Sequence, residues 1–402
     1  MKALIVLENH FIIDKNNNVW CERVVDYNYL KRYLNVFDEI IVTGRTEKID
    51  VEINNKLLVT GENVGFVPMP DFKGAIGLLK NKKKIKKIIK ENAKGVDCVI
   101  YRAPTHLSLF SYKEVIKQQK ILALEFMMAA DKMFDGNGLL KRLLNMGVNT
   151  MARRMCMKAD AVSYVTEKTL QSQYPCKALI YPKNNKYFTT NYSSIDIEMK
   201  NYYKQNWNKS EKPNIFKIVH TGYMDSYRKG QKVLLEAIKI VKDNGYNIKL
   251  TLIGDGAKRR EFEELAKNLE IEDVVEFKGL ISNKQEILSI LRNSHLFVFP
   301  TQSEGLPRTV IEAMSQGLPC ISSPVDGIPE LLDENFLVEY NDVNGYANKI
   351  MEMLNNWEYM IEIGDKNFNE SLKYEKGILE KRRNSFYKFI KEISNNGTNE
   401  KR

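Results

Sequence analysis

The sequence predicts an α/β protein made of two doubly wound halves of similar size. In each half, short apolar runs of the kind that form buried parallel strands alternate with helical segments. From about residue 182 to 213 the chain is instead rich in Asn, Lys, Ser and Tyr and has no sustained periodicity. Because 402 residues exceed one ordinary core, we predict a domain over 1–195, a second over 196–375, and a C-terminal helix over 376–402 that packs back on the first domain and frays at its end.

The first half begins with an apolar run and continues by strand–helix alternation. Its predicted strands cover 2–8, 38–44, 96–104 and 120–126, its predicted helices cover 21–37 and 111–119, and a last strand and helix share 159–175. In open sheets of this kind, ligands bind at the carboxyl ends of the strands.

The second half repeats the alternation from about residue 216. Its predicted strands cover 216–222, 248–256, 274–281, 295–301, 319–324 and, more weakly, 335–340, and its predicted helices cover 232–245, 258–270 and 284–294. Gly254-Asp255-Gly256 is either half of a dinucleotide-binding fingerprint or, as we favour, a strand-to-helix turn. From about Asn344 the tail is helical and charged, and residues after Asn395 are expected to fray.

The composition is typical of a folded protein of the cytoplasm. The chain is 43% hydrophobic and 28% charged, which excludes a disordered chain. No apolar run in the sequence has the length of a membrane span, and the first residues turn polar too early for a signal peptide. The five cysteines are scattered without a CxxC pair, which fits a reducing compartment and argues against a zinc site or a disulfide framework.

The most informative stretch is 299–333, FPTQSEGLPRTVIEAMSQGLPCISSPVDGIPELLD. A helix is predicted from about Pro307 to Gln316 and is stopped by Gly317, with Glu304 in the loop before it and Glu312 in its second turn. The free amides and the positive dipole end of that helix face the same place, which makes an anion site. A phosphate cradle between two carboxylates points to a nucleotide-sugar site.

This stretch, with three upstream segments, resembles the nucleotide-sugar half of family 4 retaining glycosyltransferases of the GT-B fold. The upstream segments are HTGYMDSYRKGQKVLLEAIK, LTLIGDGAKRREFEELA and VEFKGLI. The first half resembles, less closely, bacterial enzymes that build surface polysaccharides, through YLKRYLNVFDEIIVTGR, YRAPTHLS and DAVSYVTEKTLQSQYP. The resemblance implies two Rossmann-like domains that face a central cleft, with a C-terminal helix that crosses back.

The resemblance also implies roles for particular residues. Glu312 would bind the ribose of the donor nucleotide, Glu304 would lie against the transferred sugar, and Lys229 would hold the donor diphosphate and stabilise charge on the leaving group. The other donor-site residues that it implies are Gly222, Gly279, Leu280, Gly305, Leu306, Pro307, Arg308 and Thr309.

The sequence departs from the family pattern at several positions. Tyr223 stands where the family commonly has a second arginine for the diphosphate, and Arg228 is a possible substitute. Asp326 replaces a glycine and is expected to crowd the cleft. The first strand lacks the usual glycine pair, and the histidine after the fourth strand is missing, so Glu125 near that place is the candidate for a catalytic sugar contact.

On the acceptor side, His10 and His106 lie at the ends of predicted strands. They are candidates to line the cleft, and structural histidines are an equally good interpretation.

The resemblance implies a metal-independent hexosyltransferase that retains the anomeric configuration and needs no cofactor. The donor would be UDP- or GDP-linked, and the acceptor a lipid-linked or growing saccharide in the biosynthesis of capsule, exopolysaccharide or O-antigen. No Asp-x-Asp motif occurs in the sequence. Two alternatives stay open: a non-catalytic GT-B partner of another transferase, and a nucleotide-sugar epimerase on the same fold.

The net charge of +10 predicts an anionic partner. Two basic amphipathic segments, 78–94 and 139–158, lie in the first domain and suit an anionic membrane surface. We therefore expect peripheral attachment to the inner face of the plasma membrane. The alternative is that these are ordinary helices with solvated lysines. Nucleic acid is not expected as a partner, because no recognised binding module accompanies the charge.

Overall fold

The computed structural model describes residues 1–22, 24–131, 133–134 and 138–399, and the chain divides into two units. Unit 1 contains 1–192 and the residues from Glu380 onward, and unit 2 contains 193–379. The boundaries predicted from the sequence, after 195 and after 375, lie a few residues from these limits.

Unit 1 is a mostly parallel sheet with helices on its faces. Its strands are β1 (Lys2–Ile13), β2 (Val19–Cys21), β3 (Glu39–Lys48), β4 (Leu57–Leu58), β5 (Val64–Pro70), β6 (Cys98–Ala103), β7 (Ile121–Phe126), β8 (Ala161–Tyr164) and β9 (Phe188–Asn191). Its helices are α1 (Tyr27–Leu34), α2 (Gly74–Lys94), α3 (His106–Lys117), α4 (Leu139–Lys158), α5 (Thr169–Gln173) and α6 (Lys177–Ile180). Strand β2 pairs in the antiparallel direction with both β1 and β4. The parallel strands run in the order β5-β3-β1-β6-β7-β8-β9, which is the doubly wound arrangement expected from the sequence.

Unit 2 is a smaller parallel sheet of the same kind. Its strands are β10 (Phe216–Thr221), β11 (Ile248–Ile253), β12 (Val275–Gly279), β13 (Leu296–Phe299) and β14 (Cys320–Ser322), in the order β12-β11-β10-β13-β14. Its helices are α7 (Gln231–Asp243), α8 (Arg259–Asn268), α9 (Lys284–Arg292), α10 (Arg308–Ser315), α11 (Val343–Asn355) and α12 (Trp357–Ser371). A last helix, α13 (Lys376–Asn399), starts in unit 2 and belongs to unit 1 from Glu380 onward.

The first strand is longer than predicted. β1 does not end near Glu8 but continues through a register shift between Val6 and His10, and its last residues pair with the antiparallel strand β2. The prediction that His10 lies at the end of a strand is therefore wrong, because His10 lies within β1. The apolar residues Phe11, Ile12 and Ile13 are buried in this extension, which is the reason the strand persists past the polar residues before them.

The helix predicted over 21–37 begins later than expected. Cys21 belongs to β2, and the helix starts after Asp26, whose carboxylate accepts a hydrogen bond of 2.6 Å from the Tyr29 amide. Aspartate is a preferred residue for this capping position because it satisfies an amide that has no partner within the helix.

Three other predictions need correction. The segment interpreted as an irregular crossing contains β9, and the strands β4 and β5 were not predicted. The weak strand over 335–340 is instead a 3-10 turn at Glu334–Phe336 followed by a single bridge from Leu337 to Ser322. Helix α13 is described to Asn399, the fraying expected after Asn395 stays a prediction, and 400–402 lie outside the described residues.

Candidate functional site

Most of the residues predicted to bind the donor line one cavity of unit 2. The cavity has a volume of about 280 Å³ and lies at the carboxyl ends of β10, β11 and β13, beside the first turns of α10. The predicted residues that line it are Gly222, Tyr223, Lys229, Leu280, Glu304, Pro307, Arg308, Thr309 and Glu312. Arg228, Gly279, Gly305 and Leu306 do not line it, although each is adjacent in sequence to a residue that does.

Helix α10 aims Glu312 into this cavity. The helix starts at Arg308, one residue later than predicted, because Pro307 has an extended backbone and occupies the capping position. Val310, Ile311, Ala313 and Met314 are fully buried and anchor the helix on the sheet. The side chain of Glu312 is only partly buried and lines the cavity.

A tight turn places Lys229 at the cavity wall. The 3-10 turn Tyr227–Lys229 ends at Gly230, whose φ is +81°. A Cβ atom on Gly230 would lie 1.8 Å from the Pro300 carbonyl oxygen, so only glycine fits this approach to the end of β13. The Lys229 amine forms an ion pair with Glu304, and the Thr301 hydroxyl lies 3.3 Å from the same carboxylate oxygen. Nothing in the sequence marks this ion pair, because its two members lie 75 positions apart in the chain.

Asp326 anchors the loop that carries Glu304. Its carboxylate accepts a 2.7 Å hydrogen bond from the Glu304 amide and one of 3.3 Å from the Ser303 hydroxyl. Within the described part of the chain, Asp326 is not among the residues that line the cavity. Its carboxylate holds the loop in place, and the expectation that Asp326 crowds the cleft stays a prediction.

Glu312 lies in an environment that penalises its charge. Burial raises the pKa of the Glu312 carboxyl, and the positive charges of Lys284 and Arg308 offset this only in part. Burial likewise lowers the pKa of Lys284, against the attraction of Glu312 and Asp196. Lys284, at the start of α9, was not predicted as a site residue, because the sequence around it does not distinguish it from other surface lysines.

Three buried polar atoms beside the cavity have no hydrogen-bond partner among the described residues. They are His220 Nε2, Thr221 Oγ1 and Gln231 Oε1. Burial lowers the pKa of His220 to about 4, so its ring is neutral at pH 7, and its Nδ1 lies 3.0 Å from the Val298 carbonyl oxygen. The Gln231 amide donates to the carbonyl oxygens of Gly222 and Tyr223 at 3.1 Å each, which fixes this loop. Sequence reasoning did not single out Thr221, which lines the cavity directly.

Arg308 is the arginine at the cavity. Arg228 was suggested as the replacement for the arginine missing at Tyr223, but it does not line the cavity, whereas Tyr223 and Arg308 do. The Arg228 carbonyl oxygen accepts a hydrogen bond from the Gln302 amide at 2.9 Å and so belongs to the loop framework.

Gly254-Asp255-Gly256 forms the strand-to-helix turn that we favoured. It links β11 to α8, and the Asp255 carbonyl accepts a hydrogen bond of 2.9 Å from the Met224 amide. Gly254 has a φ of +138°, and a Cβ atom there would lie 2.0 Å from the Gly222 carbonyl oxygen. Glycine is therefore required by close packing of two loops.

The two histidines of unit 1 pair with carboxylates. His10 Nε2 lies 3.6 Å from Asp71 and 3.7 Å from Glu47. His106 is the first residue of α3, and its Nδ1 lies 3.3 Å from Glu8, which also accepts from the Leu107 amide at 2.8 Å. Burial disfavours a charged Glu8, but these hydrogen bonds outweigh it and lower the pKa of the Glu8 carboxyl. A role for either histidine toward an acceptor stays a prediction.

Glu125 lies inside unit 1 rather than on an open surface. It is 5% exposed and accepts hydrogen bonds from the hydroxyls of Tyr33, Tyr192 and Tyr387 at 2.8, 2.9 and 2.7 Å. Burial favours the protonated form, yet Arg32 and the tyrosine hydroxyls lower the pKa of the Glu125 carboxyl. With both oxygens used by buried tyrosines, Glu125 is a structural anchor that ties α1, the end of β9 and α13 together, and this corrects its placement as a sugar contact.

Replacing Glu125 with alanine should therefore destabilise the protein by about 3–5 kcal/mol, because it leaves buried arginine charge and tyrosine hydroxyls without their partner. Denaturant unfolding measures this, with Glu91→Ala on the exposed face of α2 as the control, for which a change within about 0.5 kcal/mol is expected. Because folding lowers the pKa, the contribution is complete above the unfolded value of about 4.3 and is lost as pH falls through the folded pKa. A stable Glu125→Ala variant with impaired sugar transfer would restore the catalytic role.

The described residues lack both a metal-binding cluster and a membrane-spanning helix. They contain no group of three or more His, Cys, Asp or Glu side chains arranged to hold a metal ion. They also contain no helix that is both long and apolar enough to cross a membrane.

The part of the chain that forms the cavity is similar to a known protein family. Residues 199–370 match the family of group 1 glycosyl transferases. The chain is 28% identical to protein CapJ of Staphylococcus aureus over 340 residues, covering 84% of this chain and 80% of CapJ. It is 30% identical to the putative colanic acid biosynthesis glycosyltransferase WcaL of Escherichia coli over 132 residues, which is about a third of either chain.

The fold is shared with solved structures over nearly the whole length. The structure of Anabaena HepE in complex with UDP-glucose superposes with a TM-score of 0.64 at 14% sequence identity, covering 96% of this chain and 98% of HepE. The matched family segment contains every residue that lines the cavity. The part of the chain that forms the cavity thus belongs to the group 1 glycosyl transferases, and the chain has the GT-B fold.

Proposed function

We propose that the protein transfers a hexose from a UDP- or GDP-linked donor to a saccharide acceptor with retention of the anomeric configuration. The observation that carries this proposal is the convergence of Lys229, Arg308 and Glu312 on one cavity at a helix N-terminus. Support also comes from the fold shared with HepE, whose structure contains UDP-glucose.

Each of these residues has a chemical task in the proposed reaction. Glu312 accepts hydrogen bonds from the ribose hydroxyls, and Lys229 and Arg308 neutralise the diphosphate as the glycosidic bond breaks. With two cations and the amides of α10 in place, the leaving group is stabilised without a metal or cofactor. Tyr223, where the family commonly has an arginine, then presents an aromatic surface in place of a charge.

Retention follows in this proposal from attack on the face that the diphosphate leaves. The bond between the anomeric carbon and the diphosphate oxygen breaks, and the acceptor oxygen forms its bond on the same face. The acceptor proton passes to the departing phosphate. The role of Glu304 in this reaction is to contact and orient the sugar. No side chain is required as a covalent nucleophile.

The proposed acceptor is a lipid-linked or growing saccharide of a surface polysaccharide, met at the inner face of the plasma membrane. The similarity to WcaL, which is described as a colanic acid biosynthesis glycosyltransferase, supports the saccharide class. The basic segments of unit 1 support the membrane location.

A donor screen tests the proposal. One nucleotide sugar should raise the melting temperature of the protein, because a ligand that binds only the folded state stabilises it. With that donor and an acceptor, nucleoside diphosphate should be released, and NMR of the product should show the anomeric configuration of the donor. A scaffold protein would release no nucleoside diphosphate, an epimerase would isomerise the donor without acceptor, and an inverted product would refute retention.

A further inference from the structure

The positive charge of the chain is concentrated in two helices of unit 1. Helix α2 contains eight lysines and one glutamate, and helix α4 contains five cations and no acidic residue. These two helices thus carry a net charge of +12, while the whole chain carries +10. The rest of the molecule is therefore slightly acidic, and the basic character is a property of this one part of unit 1.

The two helices lie on either side of α3 with the same polarity. Helix α3 packs against both α2 and α4. Helix α2 ends just before β6 begins and α4 ends just before β8 begins, and both of these strands belong to the parallel sheet. The C-terminal ends of both helices therefore lie at the amino edge of the sheet, and their first turns point to the carboxyl edge.

The first turns of both helices expose large apolar side chains. In α4 these residues are between 43% and 75% exposed: Leu139, Leu140, Leu143, Leu144 and Met146. In α2, Ile76 and Leu79 are 73% and 57% exposed. Single exposed apolar residues are ordinary, but five of them within residues 139–146 of one helix mark an interaction site.

The later turns of the same helices behave differently. In α4, Val148, Ala152, Met155 and Cys156 are buried, and in α2, Ile85 and Ile89 are buried. The apolar face of α4 thus packs on unit 1 only in its second part, whereas in α2 the buried Leu78 lies between the exposed Ile76 and Leu79. The exposed tip, which we define as Ile76, Leu79, Leu139, Leu140, Leu143, Leu144 and Met146, is not needed to hold the helices in place.

We propose that this exposed tip inserts into the interface of an anionic lipid bilayer, and that the cations of α2 and α4 bind the headgroup phosphates beside it. This rests on the proposed function, in which the saccharide acceptor is met at the inner face of the plasma membrane. Lys141 and Arg142 are exposed on the same turns as the leucines, so one surface offers apolar side chains to the acyl region and charge to the phosphates. A nucleic acid would match the charge but would gain nothing from the leucines.

Vesicle flotation with a matched pair of variants tests the apolar part. Leu139→Asn/Leu140→Asn should lower partitioning onto vesicles of phosphatidylcholine and phosphatidylglycerol by tenfold or more. Leu179→Asn/Ile180→Asn, which changes two exposed apolar residues elsewhere in unit 1, should leave it unchanged. Equal partitioning of both variants and the wild type would overturn the proposal, as would absence of wild-type binding, which would favour an acidic protein as the partner.

Two further measurements separate insertion from charge attraction. Tryptophan fluorescence of Leu143→Trp should shift to the blue on these vesicles, and an unchanged spectrum would overturn insertion. Lys83→Gln/Lys84→Gln should weaken binding to anionic vesicles, and binding to pure phosphatidylcholine as strong as to the anionic mixture would overturn the role of the phosphates. The stabilisation of each variant by UDP or GDP is measured separately and tests the donor site. If neither nucleotide stabilises the wild type, the proposed function is refuted, but the flotation result is unaffected.

Discussion

Replacing Lys229 with alanine should reduce sugar transfer by about 10²–10³-fold, the size found when one preorganised donor to a developing charge is removed. Lys229 is the cation that the Gly230 turn fixes at the end of β13, and it lines the same cavity as Glu304 and Glu312. Negative charge on the diphosphate grows as the glycosidic bond breaks. Loss of the Lys229 amine should therefore reduce kcat as well as the affinity for UDP or GDP. Steady-state kinetics and calorimetric titration of the nucleoside diphosphate measure the two effects.

Two controls make this result specific to the lysine. Arg228→Ala alters the neighbouring cation, which does not line the cavity, and should retain most of the activity. Glu304→Gln removes the carboxylate that pairs with Lys229, so the amine is released to the diphosphate and nucleoside diphosphate should bind more tightly, while transfer slows because the sugar contact is altered. If Arg228→Ala is the more damaging change, the assignment of the diphosphate cation moves to Arg228.

The sequence predicted the second unit in more detail than the first because its signals are local. Eight positions separate Glu304 from Glu312, and the glycine and proline between them define a loop and a helix start that short-range rules recognise. The ion pair between Lys229 and Glu304, the anchoring of the loop by Asp326 and the position of Lys284 all depend on contacts across the fold. None of them leaves a periodic or spacing signal in the chain.

Unit 1 shows the same limit more strongly. Glu125 stands in an apolar strand, where a carboxylate suggests function, but its partners Tyr33, Tyr192 and Tyr387 come from segments up to 262 residues away. The extension of β1 to Ile13 depends on its pairing with β2. The sequence of either strand alone does not indicate that the other strand pairs with it. A polar residue in a buried strand therefore marks either a site or a structural network, and only the fold distinguishes them.

Replacing Glu312 with glutamine should weaken nucleotide binding and stabilise the ligand-free protein. Loss of charged hydrogen bonds to the ribose costs about 1.5–3 kcal/mol, which corresponds to a loss of affinity for UDP or GDP of about tenfold to 100-fold. Burial raises the pKa of Glu312 in the folded state, so the folded protein binds protons more tightly at this site than the unfolded chain does. Stability is therefore lost as pH rises from the unfolded pKa, about 4.3, through the folded pKa.

Removing this charge should raise the melting temperature at neutral pH, and the gain over the wild type should shrink as pH is lowered toward about 4.3, where the wild-type carboxyl is protonated in both states. Differential scanning calorimetry with and without nucleoside diphosphate gives both quantities from one protein sample. Substitution of a binding residue that destabilises the fold should raise stability and weaken nucleotide binding, whereas substitution of an ordinary surface glutamate should change neither quantity. A Glu312→Gln protein that is less stable and binds nucleotide normally would make Glu312 a structural residue of α10, and the ribose would need another acceptor in the cavity.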